Sequence, residues 1–347
     1  MKTFDINKLV RKNVLAMESY SSARDEFKDF DQNLIFLDAN ENPFENGLNR
    51  YPDPKQKNLK KVLSELKKVP IKQIILGNGS DELLDLLFRA FCEPNQDSVI
   101  TLPPTYGMYG VLANLNAVEN KEIALQNDFE PNVDLILKAI HETTKILFLC
   151  SPNNPTGNTF SEDKIQILLE NFSGLIVIDE AYIDFSSKES WLKKIDEFPN
   201  LIILQTLSKA YGLAGIRLGI LYANPEIISV LDKIKPPYNI NKLSQEKALE
   251  RIENCDAVLQ EIEVIVSERK KLITALNTIQ FIEKIYNSDA NFILIKVDNA
   301  KKRYDQLLKK GIVIRNRSGQ ELCENCLRIT IGTEKENQQL LETLKSL

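Results

Sequence analysis

The chain has 347 residues, too many for one average domain, so about two domains are expected. Hydrophobic residues make up 43% and the net charge is −5, which fits a soluble protein with a sizeable core and argues against a general nucleic-acid or anionic-membrane binder. No stretch approaches the ~20 apolar residues of a membrane helix, and a start carrying Lys2, Asp5 and Lys8 has no signal-peptide core, so a cytoplasmic protein is expected.

Residues 1–29 carry no strong periodicity and read as an N-terminal arm lying on another surface. From residue 59 helical and strand periods alternate, the signature of an α/β sheet. Residues 59–68 read as an amphipathic helix, 74–76 as a short strand, and 81–91 (DELLDLLFRAF) as a helix with acidic residues in its first turn. Continuous apolar runs at 98–101, 146–149, 175–178, 201–204 and 218–221 suit strands covered on both faces. Pro236 and Pro237, where a helix neither continues nor begins easily, mark a boundary. Residues 30–237 then form a large domain with a mostly parallel central sheet flanked by helices, and 238–347 a smaller α+β domain. In the second, a long charged helix at 243–278 leads to a strand at 291–297, a helix at 301–310, strands at 312–315 and 327–331, and a terminal helix.

Five scattered cysteines read as reduced thiols. Cys323 and Cys326 form the single C-x-x-C, but a zinc site needs about four ligands. With no second pair and one histidine in the chain, incidental thiols near a strand are expected, and no metal. That histidine, His141, falls at the tail of a probable helix and reads as a solvated group. Any Ser-His or His-metal chemistry would have to run through it, so hydrolase readings are poor.

Four features in order point to chemistry. Leu76-Gly-Asn-Gly-Ser-Asp81 runs from a strand through a glycine turn into a helix, where outward N–H groups and the helix terminus suit a phosphate. A turn capped by Ser80 or Asp81 explains the same residues without a ligand. Cys150-Ser-Pro-Asn-Asn-Pro-Thr-Gly157 follows an apolar strand, and strand carboxyl ends are where α/β sheets hold ligands. In Ile176-Val-Ile-Asp179-Glu-Ala-Tyr182 an acidic residue closes a buried strand, which calls either for a cationic partner or for a helix N-cap role. Finally, Gln205-Thr206-Leu-Ser208-Lys209-Ala-Tyr-Gly212-Leu-Ala-Gly215-Ile-Arg217 sets a lysine between a strand and a glycine-punctuated loop, with an arginine eight residues on. A basic loop is the bland alternative.

Taken together these stretches resemble the fold-type I pyridoxal-phosphate aminotransferases over residues 20–332, and most closely the members that act on histidinol phosphate. Tyr20-Ser-Ser-Ala-Arg24, Leu37-Asp-Ala-Asn40-Glu-Asn-Pro43, Arg50-Tyr51-Pro-Asp53, Pro103-Pro-Thr-Tyr106-Gly-Met-Tyr109 and Cys326-Leu-Arg328-Ile-Thr-Ile-Gly332 match as well. The resemblance implies that Lys209 holds pyridoxal 5'-phosphate as a Schiff base and then moves a proton. It makes Asp179 the partner of the ring nitrogen. Asn154 and Tyr182 become donors to the phenolic oxygen, and Tyr106 the ring that stacks on the cofactor. The cofactor phosphate is expected at Gly79, Ser80 and Asp81, with Thr206, Ser208 and Arg217 as further donors. Tyr51 resembles a residue that reaches the neighbour's phosphate, which makes a homodimer the active unit.

Arg328 matches the residue that binds the α-carboxylate of glutamate. Arg315 and Tyr20 match extra groups for the substrate phosphate, and Asn40 joins the expected substrate set. An exposed basic strand end is the bland account of Arg315. The expected reaction is amino transfer between L-histidinol phosphate and 2-oxoglutarate, in histidine biosynthesis. Rivals are an aromatic or broad-specificity aminotransferase, a phosphothreonine decarboxylase sharing the cofactor residues, and a catalytically idle ligand-sensing domain. The intact Lys209 and the lack of a DNA-binding segment before residue 30 speak against the last.

Overall fold

The computed structural model describes residues 4–19 and 35–347. After a short helix α1 (Lys12–Ala16), the chain enters an alternating array. Its elements are α2 (Lys57–Lys67), β1 (Ile74–Asn78), α3 (Ser80–Phe91), β2 (Ser98–Thr101), α4 (Met108–Leu115), β3 (Glu119–Glu122) and α5 (Val133–Ala139). There follow β4 (Thr144–Cys150), α6 (Glu162–Asn171), β5 (Leu175–Asp179), β6 (Leu201–Thr206), β7 (Leu218–Ala223) and α7 (Pro225–Ile234). The seven strands form one sheet in the order β1-β7-β6-β5-β4-β2-β3. Both contacts of β7 are antiparallel and the remaining pairs are parallel, so the expected mostly parallel central sheet is present.

The apolar runs are continuous because successive side chains enter different cores. Leu147, Leu149, Ile176, Ile178, Leu201 and Ile203 join one cluster. Ile146, Phe148, Leu175, Val177, Ile202 and Leu204, the alternate positions, join the other. In α3 the buried residues Leu83, Leu84, Leu87, Phe88 and Phe91 recur at helical spacing, with Asp81 and Glu82 in the first turn, where the helix dipole favours them.

Beyond residue 238 the chain forms α8 (Lys242–Glu253), α9 (Cys255–Leu276), β8 (Ile282–Ile285), β9 (Phe292–Val297), α10 (Ala300–Lys309), β10 (Arg315–Asn316), β11 (Cys326–Thr330) and α11 (Glu334–Lys345). Its strands make a separate antiparallel sheet, β10-β11-β9-β8. One face packs through Ile293, Ile295 and Ile329 against Leu272, Leu307 and Leu340 of the helices. From the other face Phe292, Leu294 and Cys326 join the first core of the large sheet, together with Tyr182. That shared core fixes β11 beside the carboxyl end of β5.

Two expectations are corrected. The helix expected over 243–278 is two helices, broken at Asn254, whose backbone (φ −98°, ψ 47°) is not helical. Asn254, Cys255 and Asp256 are weak helix formers, and short polar side chains compete with the ladder. The strand expected over 312–315 is reduced to Arg315–Asn316. Its first residue and the one before it close α10 instead: Gly311 (φ 79°) and Ile312 donate their N–H groups to the carbonyls of Leu308 and Leu307. His141 is exposed just beyond α5, and Cys323 and Cys326 are buried free thiols at the start of β11. Among the described residues no group of three His, Cys, Asp or Glu side chains could hold a metal ion. No helix among them is long and apolar enough to cross a membrane.

Candidate active site

The parallel strands deliver their last residues to one place. Cys150 ends β4 opposite Asp179, which ends β5 and itself lies opposite Leu204 of β6. Beside them α3 begins, and the packing there admits only glycine. A Cβ on Gly219 of β7 would overlap the backbone of Gly79 and Ser80. Gly79 has φ 77°, and a Cβ there would fall 2.5 Å from Nη2 of Arg217. Its N–H donates to the Arg217 carbonyl at 2.8 Å. As the helix N-cap, Gly79 brings no side chain to the first N–H groups of α3. Those groups and the Arg217 guanidinium therefore face the same space.

A single pocket is lined by Ser80, Asp81, Tyr106, Asn154, Asp179 and Tyr182, and also by Thr206, Ser208, Lys209 and Arg217. Asp81 links its two sides. One oxygen accepts the Tyr106 hydroxyl at 3.0 Å, and the other lies 3.7 Å from Nη2 of Arg217. Thr206 directs its hydroxyl to the Leu218 carbonyl at 3.1 Å and accepts the Ser208 N–H at 3.1 Å, which folds the Ser208 side chain back to the pocket.

Asp179 is buried, with Oδ1 accepting the Ala181 N–H at 3.1 Å and Oδ2 accepting the Tyr109 hydroxyl at 2.8 Å. Burial pushes its carboxyl up to about 6; the Tyr109 and Ala181 hydrogen bonds pull the other way, Asp81 adds to the rise and Lys209 opposes it. Lys209 holds Nζ 5.6 Å from the centre of the Tyr182 ring. Its pKa is lowered, first by burial and then by the positive fields of Arg328 and Arg217, against which Asp179 and Asp81 act. Burial also raises the Tyr182 phenol.

Arg328 does not line the pocket but donates from Nη1 to Oδ1 of Asn154, which does, and its guanidinium lies 5.0 Å from the Phe292 ring centre. Arg315 faces Arg328 across the β10–β11 pair and is exposed. Asn40 and Tyr51 lie elsewhere, along a separate cavity of about 500 Å³ where Tyr51 stacks on Tyr238 at 4.5 Å. Tyr20 lies outside the described residues.

Tyr109, Cys150 and Arg317 were not singled out from the sequence. Tyr109 follows Tyr106 by three residues, so helical spacing could have brought it to the same face. Arg317, within the Arg315-Asn-Arg317 run, had only its charge as a signal.

A model of aminotransferase class I and II matches residues 29–344. A histidinol-phosphate aminotransferase of Flavobacterium johnsoniae is 64% identical over 100% of both chains. The chain belongs to the histidinol-phosphate aminotransferase family. A second member of that family, from Flavobacterium psychrophilum, is 65% identical over 100% of both chains. The solved histidinol-phosphate aminotransferase of Clostridium acetobutylicum superposes with a TM-score of 0.80 at 28% identity, covering 86% of this chain and 90% of that one. Like the family, the chain is a pyridoxal-phosphate-dependent aminotransferase.

The residues present fit that cofactor. The glycine cradle at Gly79, bounded by helix N–H groups and Arg217, suits a phosphate. A buried carboxylate at Asp179 suits a cationic ring nitrogen, and an amine of lowered pKa lies in the same pocket.

Proposed function

We propose that the chain transfers an amino group between L-histidinol phosphate and 2-oxoglutarate, as a step of histidine biosynthesis in the cytoplasm. The observation that carries the substrate side is the set of three arginines on and beside β10 and β11. Burial and the charges of Arg317 and Arg315 both lower the pKa of Arg328, and burial and Arg315 lower that of Arg317. Nε of Arg317 and Nε of Arg328 are buried without a hydrogen-bond partner. Like charges gathered with buried donors unused form a site that an anion would complete. A substrate phosphate and, in the other half-reaction, a carboxylate answer that need, with Arg328 bonded to Asn154 of the cofactor pocket and Arg315 exposed across the strand pair from it. Asn40 and Tyr20 complete the substrate set in this reading.

When bound, pyridoxal phosphate supplies an electron sink for the substrate carbon that loses its proton. Lys209 is the covalent anchor, and its Nζ, once free, takes that proton; the lowering of its pKa by burial and by Arg328 favours the neutral amine that this step needs. Asp179 holds the ring nitrogen, Asn154 and Tyr182 hold the phenolic oxygen, and Tyr106 covers the ring. Gly79, Ser80, Asp81, Thr206, Ser208 and Arg217 hold the phosphate. Tyr51, remote from the pocket of its own chain, serves the second protomer of a homodimer.

An absorbance titration tests the reading. Adding L-histidinol phosphate to the holoenzyme should convert the visible cofactor band at low concentration, while L-phenylalanine does so only at high concentration. Conversion by phenylalanine and glutamate but not by L-histidinol phosphate would retire the substrate assignment. Arg315→Ala should raise KM for L-histidinol phosphate about 10- to 100-fold, the worth of a charge-assisted hydrogen bond. Its KM for glutamate should stay within about threefold, because Arg328 is left intact. Equal losses for both substrates would remove Arg315 from this role.

A further inference from the structure

Asp179 does not stand alone at the end of β5. Tyr109 of α4 is fully buried, and its hydroxyl donates to Oδ2 at 2.8 Å, while the Ala181 N–H takes Oδ1 at 3.1 Å. Each carboxylate oxygen therefore has one fixed donor. The Tyr109 ring is fixed in turn. It stacks on Phe148 of β4 with centroids 4.8 Å apart and planes 10° apart, and meets Tyr106 edge-on at 5.6 Å. Of the two donors, Tyr109 is the one that a side-chain change can remove.

We propose that Tyr109 is a positioning residue for Asp179, fixing both the orientation and the ionised form of the carboxylate that meets the cofactor's ring nitrogen. The inference rests on the role proposed above for Asp179. Burial alone favours the neutral acid, and a neutral acid offers a cationic ring nitrogen no charge partner. The Tyr109 hydrogen bond acts against that burial more than any other group around Asp179. The remaining titratable neighbours divide. Lys209 favours the ionised form and Asp81 opposes it; the Cys150 thiol beneath and the phenols of Tyr106 and Tyr182 are held neutral by burial. Tyr109 is thus the neutral donor whose loss changes the balance without changing the net charge.

The test compares holoenzyme of the wild type, Tyr109→Phe and Asp179→Asn, measuring pyridoxal-phosphate affinity by equilibrium dialysis between about pH 5.5 and 8.5. Wild type and Tyr109→Phe carry the same charges, so titrations of the cofactor phosphate and of Lys209 are common to those two and drop out of their comparison. Asp179→Asn, which also removes a charge acting on Lys209, serves only to test the role of Asp179. Phenylalanine keeps the ring and its stacking. Tyr109→Phe should move the acid-side loss of affinity up by about one pH unit, the worth of one hydrogen bond to a carboxylate. At about pH 8.5, where the carboxylate is ionised in both, its affinity should lie within about threefold of the wild type. A profile with an unmoved midpoint, whether or not the affinity drops uniformly, overturns the proposal and leaves Tyr109 a packing residue. If Asp179→Asn also keeps the wild-type affinity and profile, it is the role of Asp179 that has failed. Should Tyr109→Phe not fold, 3-fluorotyrosine placed at 109 gives the opposite readout. As a stronger donor it should move the midpoint down, and no movement overturns the proposal equally.

Discussion

Lys209→Ala should lower kcat for L-histidinol phosphate by roughly 10⁴-fold or more if Lys209 has the two roles proposed for it, because one substitution would then remove both the covalent anchor and the proton-transfer base. The side chain has few rivals for either task. Among the groups lining its pocket, Asp81 and Asp179 are acids already engaged with Arg217, Tyr106 and Tyr109, and the Tyr182 phenol is held neutral by burial. Burial and the fields of Arg328 and Arg217 lower the Lys209 pKa against Asp179 and Asp81, a shift toward the neutral amine that a base requires. Lys209→Arg should be as inactive, since a guanidinium stays protonated throughout the working range. Single-turnover kinetics, with the visible absorbance of the lysine-linked cofactor as a second readout, check both variants. Small primary amines added to Lys209→Ala should restore part of the turnover if the lost function is proton transfer. Residual kcat within about tenfold of the wild type would exclude Lys209 as base and anchor, since general-base loss alone costs at least 10²-fold.

Much of this pocket was legible because its residues sit where strands stop. An acid after Leu175-Ile-Val-Ile178, a hydroxyl after Leu201-Ile-Ile-Leu204 and a Pro-Asn-Asn turn after Ile146-Leu-Phe-Leu149 are marked by the apolar runs before them, and parallel strands bring those ends together. Tyr109 was hidden for the opposite reason. A tyrosine among apolar residues in a helix reads as core, and its hydroxyl acquires a role only when α4 docks beside β5. The edge strand β3, Glu-Asn-Lys-Glu, carries no hydrophobic period at all; it forms by parallel pairing with β2, and polar side chains suit an edge. The break at Asn254 and the closure of α10 by Gly311 and Ile312 depend on backbone conformations that a charge-and-apolar pattern does not reveal. The positions of Asn40 and Tyr51, away from the pocket of their own chain, lay beyond any reading of one chain's periodicity.

Asp179→Asn should make the apoprotein more stable and the enzyme far slower. The Asp179 carboxyl is raised to about 6 from its usual 3.8, chiefly by burial. An unfolded chain therefore gives up this proton near pH 4, while the folded chain keeps it until about pH 6. The stabilising contribution of the neutral acid is whole below pH 4 and is lost as the pH rises to about 6; above that the folded protein carries a buried charge at constant cost. Asparagine carries none. The difference in unfolding free energy between variant and wild type should grow across that interval and level off at roughly 1–3 kcal/mol in favour of the variant. The upper figure is the full shift; the lower allows for the amide, which can accept from Ala181 only if its NH₂ turns to Tyr109, whose hydroxyl must then act as acceptor. Glu180, also pushed up by burial, to about 7, titrates in both proteins and drops out of the difference. Urea unfolding of the two apoproteins at about pH 4.5 and 7.5 measures the trend, and a difference that does not grow with pH would contradict it. Over the same change, kcat should fall about 10²- to 10³-fold, the usual loss when one preorganised electrostatic contact to a developing charge is removed. A substitution that strengthens the fold while it disables turnover would mark Asp179 as a residue kept for chemistry against the preference of the core around it.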